Sequence, residues 1–98
     1  MSLIRLAESA CQLPNAWSSK LVARFGSGNL KLVRMDAGAY PEECHDYAEG
    51  LLVLDGEMVL HVAGQVLRVN AGEIYVVPPG VAHSVGEGSY GSLLILDS

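Results

Sequence analysis

From residue 20 onward, short apolar runs alternate with turn-forming residues at intervals of roughly eight to ten positions. Lys20–Phe25 and Asn29–Met35 flank Gly26-Ser27-Gly28-Asn29, a pattern that predicts a hairpin. Gly50–Leu54 is aliphatic and runs into Asp55-Gly56, a strong turn dipeptide. Met58–Ala63, Val66–Val69 and Ile74–Val77 follow, separated by Gly64-Gln65 and Asn70-Ala71-Gly72. Pro78-Pro79-Gly80 ends that series, and Ser92–Leu96 is the last predicted strand, after the glycine-rich stretch 86–91. Seven or eight short strands punctuated in this way predict an all-β fold, a closed or sandwiched antiparallel architecture. Residues 1–19 do not share the pattern. Leu13-Pro14-Asn15 breaks any helix there, and Trp17 is expected to pack on the β body. The predicted organisation is therefore an N-terminal extension over 1–19, packing on or pairing with the barrel, and one β domain over 20–98.

A chain of 98 residues has room for one core. Half of its residues are hydrophobic, enough for a real core with apolar area left for a partner subunit. Six basic residues against eleven acidic ones give a net charge of −5, and the basic residues are scattered from Arg5 to Arg68. Without a Lys/Arg cluster, neither a nucleic-acid surface nor an anionic-membrane patch is expected. The start, MSLIRLAESACQ, lacks a sustained apolar segment before Glu8, and no uncharged apolar run is long enough to span a bilayer. Two cysteines, Cys11 and Cys44, are too few for a disulfide framework, so a soluble cytoplasmic protein with free thiols is expected.

The candidate chemistry lies in two segments. Gly38–Gly56 (GAYPEECHDYAEGLLVLDG) holds Glu43, His45 and Glu49, and Gly72–His83 (GEIYVVPPGVAH) ends on His83. Two imidazoles with one or two carboxylates suit iron, manganese, nickel or zinc. Alternate residues of a strand share a face, so Glu43, His45 and Glu49 can all point into a barrel. His83 follows a Pro-Pro-Gly corner that would end one strand and aim the next.

Together these segments resemble the two motifs of the cupins, a family of jelly-roll β-barrels. Glu49, six residues and Gly56 match the second half of the first motif, and His45 falls on its second histidine. Glu43 occupies the slot of the first histidine, and Gly38 lies one residue nearer than the family spacing. Gly72, Pro78, Gly80 and His83 match the second motif in full, with Glu87 where an asparagine often ends it. The resemblance spans residues 38–87, about half the chain, and implies a small single-domain cupin with a divalent metal in its barrel. By the same resemblance His45, Glu49 and His83 are metal ligands. Glu43 is a fourth ligand, giving a two-His, two-carboxylate site that favours Fe(II) or Mn(II), or it faces solvent and leaves a two-His-one-carboxylate triad, or it is a general base beside that triad.

Tyr47 shares the parity of the ligands and is the candidate proton donor or supporting partner. Tyr40, Tyr75 and Tyr90 read as packing residues. Cys44 is expected to be a buried or half-buried thiol on the opposite face from His45, and His61 a surface or subunit-contact histidine. No phosphate-binding loop pattern is present.

Two functions fit. One is a metal-dependent enzyme on a small organic substrate, dioxygenase-like or a metal-assisted isomerase or decarboxylase. The other is a non-catalytic module that binds a sugar or metabolite. Exposed sheet edges, and the habit of similar small cupins, make a homodimer the expected assembly.

Overall fold

The computed structural model describes residues 3–98; Met1 and Ser2 lie outside the described residues. Short helix α1 (Leu6–Cys11) precedes eight strands: β1 (Lys20–Phe25), β2 (Gly28–Met35), β3 (Tyr40–Glu43), β4 (Glu49–Val62), β5 (Gln65–Asn70), β6 (Ile74–Val77), β7 (His83–Val85) and β8 (Tyr90–Asp97). All pair antiparallel in one curled sheet of order β1-β2-β8-β4-β7-β3, with β5 and β6 also on β4. This is the all-β jelly roll that the turn pattern and the two motifs predict.

β4 organises the fold. Its first half pairs with β6 and β8, its second half with β5 and β7, so one strand passes from one layer to the other. The predicted Asp55-Gly56 turn between two strands is instead a bend inside this single strand, where the register to β8 shifts between Val53 and Asp55. Asp55 holds the bend: its Oδ1 accepts from the Ser92 amide at 3.1 Å and its Oδ2 from the Ser92 hydroxyl at 2.9 Å. Gly56 takes φ +79°, and a Cβ there would overlap the Tyr90 carbonyl. Only glycine fits both the conformation and the approach of β8.

Between the layers lies the core: Val33, Leu51, Val53 and Leu93 from one, Met58, Leu60, Val62, Val69 and Val85 from the other. A smaller cluster sits outside, where Ala10 of α1 packs on Leu32 and Leu94 with Leu6 and Leu13 beside it. A six-residue helix is marginal alone, and this apolar seat supplies its stability. The helix stops ahead of Pro14, as the sequence predicts. Residues 12–19 then cross to the barrel mouth. The Arg34 guanidinium donates to Leu13 O at 2.9 Å, and the Trp17 amide donates to Arg34 O at 2.9 Å. Trp17 packs against the main core, as predicted.

Two strands escape the apolar pattern. β3 and β7 are only four and three residues long and carry the polar residues Glu43 and His83 in place of aliphatics. Their pairing with each other and of β7 with β4 holds them in place.

Candidate metal centre

Each candidate ligand stands where a strand begins or ends, apart from one in a connection. Glu43 is the last residue of β3, His45 lies in the loop 44–48, Glu49 opens β4 and His83 opens β7. The alternation that predicts a shared face for Glu43, His45 and Glu49 therefore does not run unbroken between them. The loop brings them together instead. It is tied to the Pro-Pro-Gly corner by the Gly80 amide, which donates to His45 O at 2.7 Å. Across the sheet, Glu43 is the register partner of His83, and His83 also faces Val62 of β4. Two separate sequence motifs are thus closed into one site by strand pairing and one backbone hydrogen bond.

The four side chains converge: one donor atom from each lies within 4.8 Å of all the others. His83 Nε2 is 3.0 Å from Glu49 Oε1, His45 Nε2 is 3.3 Å from Glu43 Oε2, and His45 Nε2 is 3.7 Å from Glu49 Oε2. Bonds of about 2.1 Å to one ion would put donors roughly 3.0 Å apart when adjacent and 4.2 Å when opposite. The close contacts fall inside that window, so the set fits a divalent cation with only small closure. Its chemistry fits too. Glu49 and His83 are each about 6% exposed, and a cation would offset the buried charge of Glu49 and that of the more accessible Glu43 beside it.

Supporting contacts orient the rings. His83 Nδ1 lies 3.4 Å from Val81 O; with an ion bound, a proton on Nδ1 directed at that carbonyl would leave Nε2 free as a ligand. The Tyr47 ring stacks on His45, with centroids 4.9 Å apart and planes 9° from parallel. Burial first, then the charges of Asp97 and Glu49, hold the Tyr47 hydroxyl above its ordinary 10.0, against the opposing pull of Lys31. It stays a proton-bearing donor at neutral pH.

The cluster lines one wall of a cavity of about 220 Å³. Trp17 and Tyr40 line it as well, their rings 5.5 Å apart, and Leu51, Met58 and Leu93 form its apolar floor. Lys31 and Asp97 stand on the wall too, as an ion pair of 2.9 Å. Sequence reading missed this pair. The signal was present in β2, where Lys31 has the parity of inward-facing Val33 and Met35. It was masked because Leu30 and Leu32 on the other face are apolar as well.

Outside the site, Cys44 is exposed, which corrects the expected buried thiol; a loop position replaces the strand that expectation assumed. Tyr90 is 60% exposed and is not the packing residue predicted, whereas Tyr40 and Tyr75 do pack on the core. His61 is a surface residue, as expected.

A jelly roll with a His/Glu cluster on its inner wall is the architecture of a cupin, and residues 31–97 match the cupin domain family. The chain belongs to that family. Among solved structures it is similar to a cupin-2 domain containing protein from Shewanella frigidimarina (25% identity, TM-score 0.86, covering 96% of this chain and 92% of that one). It is also similar to protein NMB1881 from Neisseria meningitidis (24%, TM-score 0.82, 97% of each chain). KdgF from Halomonas sp. shares the fold at 22% identity and a TM-score of 0.72 over 82% of this chain and 76% of that one. No curated protein matches the chain.

Proposed function

We propose that this cupin is a metal-dependent enzyme acting on a small organic substrate, with a divalent ion of Fe, Mn, Ni or Zn held by His45, Glu49 and His83. The observation that carries the reading is the convergence of four donors on the wall of a cavity large enough for a substrate. A metal bound there would supply Lewis-acid polarisation of a substrate oxygen, or oxygen chemistry if it is redox-active.

The chain's own groups have separable tasks. Glu49 and His83 are buried and braced, so they define where the ion sits. Glu43 is the exposed member of the set, its side chain 36% accessible against 8% for Glu49. It can complete the ligand set, or turn to the substrate and accept a proton as base. Tyr47 carries a hydroxyl that stays protonated and can return one. The aromatic wall of Trp17 and Tyr40 shields one side of the cavity from water.

A homodimer belongs to the same proposal. Ile74, Val76 and Leu96 are exposed on one outer face, with Gly50 between them in register with both Val76 and Leu96. A second copy would cover that patch. Sedimentation equilibrium of the wild type and a Val76→Glu variant tests it, with a monomeric wild type as the contrary result.

Metal content of untagged protein by mass spectrometry, beside His83→Ala, tests the site. About one metal per chain, lost in the variant, supports it, and oxygen-uptake and isomerase screens then follow. No metal in either protein after anaerobic loading with Fe(II) or Mn(II) overturns the enzyme reading and leaves a metal-free binding module.

A further inference from the structure

The Lys31–Asp97 pair stands in the same cavity but outside the ligand set, and its construction is asymmetric. Asp97 is the buried end: its side chain is 4% accessible, and both oxygens are engaged, Oδ1 by Asn29 Nδ2 at 3.1 Å and Oδ2 by Lys31 Nζ at 2.9 Å. Lys31 is the open end, 32% accessible. Anything entering the cavity therefore meets the positive pole of the pair. The ammonium has three N–H donors and gives one to Asp97, which leaves two.

Lys31 is the sole Lys or Arg side chain lining this cavity among the described residues. Its hydrogen bond to Asp97, outweighing the opposing effect of burial, raises its pKa. The group is thus kept as an ammonium and is unsuited to act as a neutral amine nucleophile. An ion pair on a pocket wall gains little stability over an apolar pair of the same shape. Two β-strand neighbours of Lys31, Val33 and Ile95, show what this wall holds elsewhere. A ligand contact accounts for a lysine at this position.

We propose that Lys31, pinned by Asp97, is the anion-recognition residue of the cavity, and that the ligand is a small organic acid. Such a ligand sets a carboxylate on the Lys31 ammonium and directs a second oxygen towards the His45/Glu49/His83 cluster. The class of ligand rests on the metal reading above, because Glu43 and Glu49 repel an anion until a cation offsets them. The size agrees. A cavity of about 220 Å³ has room for an acid of a few carbons. Tyr47, which lines the same cavity and stacks on His45, carries a further hydroxyl donor.

The test is calorimetric titration of the Mn(II)-loaded and metal-free full chain with succinate and malonate, each beside its one-carboxylate counterpart, butanoate and propanoate. Inorganic phosphate is the control anion. Variants are Lys31→Arg, Lys31→Met and the charge-paired Lys31→Met/Asp97→Asn, which leaves no buried carboxylate without a partner. The loaded wild type is expected to bind a dicarboxylate at least tenfold more tightly than its counterpart and than phosphate. Lys31→Arg should retain most of that preference; both methionine variants should lose it at wild-type metal content, and the double variant should also keep the wild-type melting temperature. An undiminished preference in the folded, metal-loaded double variant overturns the proposal, as does a loaded wild type without any preference or one that prefers phosphate. If the wild type holds no metal, the metal reading fails separately. Succinate binding by the metal-free wild type, lost in the double variant, would then still support Lys31, and its absence would overturn it.

Discussion

Gly56→Ala tests the bend on which both the fold and the site depend. The added methyl would overlap the Tyr90 carbonyl oxygen and sit 2.8 Å from its carbon and 2.9 Å from Gly91 Cα, all backbone atoms of the adjacent strand. At φ +79° the side chain also forces an alanine into left-handed backbone. The conformational cost is about 1–2 kcal/mol and the overpacking about 1–3 kcal/mol, so the sum is about 2–5 kcal/mol. A domain of this size loses about 4–8 °C of melting temperature per kcal/mol, which predicts a fall of at least about 8 °C. Gly64→Ala is the control: its φ is +74°, but nothing lies within 4 Å of the added Cβ, so only the conformational cost applies. Thermal unfolding followed by circular dichroism reads both. Because the bend lets one strand carry Glu49 at its start and pair with His83 near its end, the folded fraction of Gly56→Ala should also bind metal less tightly. Equal destabilisation by the two substitutions would refute the reasoning, since it would show that the contact with β8 contributes nothing.

Glu43→Gln should retain about one metal per chain while Glu49→Gln loses most of it, because Glu49 is the buried carboxylate that contacts both histidines; mass spectrometry of the two purified variants decides. Trp17 is the sole tryptophan and lines the cavity, so Mn(II) or Fe(II) should change its fluorescence saturably, and the change should vanish in His83→Ala. The folded-state pKa of Lys31 lies above its ordinary 10.5, so its stabilising contribution is complete below that value and disappears as pH rises through the higher folded value. Chemical denaturation between pH 8 and about 11.5 should therefore show a steeper alkaline loss of stability in the wild type than in Lys31→Met/Asp97→Asn.

The legible parts were those carried by local pattern. Runs such as Asn29–Met35 and Ile74–Val77, set off by glycine and proline, placed six of the eight strands, with β4 split in two by the Asp55-Gly56 signal. A turn dipeptide and a bulge ask for the same residue, a glycine at positive φ, and only the strand across the sheet distinguishes them. β3 and β7 were not legible as strands because their stability comes from partners distant in sequence and their residues serve the site.

Sequence alone picked out the candidate donors. Glu43, His45, Glu49 and His83 stand at spacings that the turn residues around them impose, and motif and chemistry agree on them. Tertiary structure decided how those donors meet. The loop 44–48 breaks the alternation that parity relies on, and the Gly80–His45 hydrogen bond and the β3–β7 pairing bring the motifs together. It also decided the far wall. Lys31 and Asp97 are 66 positions apart, on strands whose apolar residues face both ways because α1 covers part of the outside. A period of two identifies an inner face only when the outer one is polar; where both faces are buried, the side a lysine takes is fixed by packing.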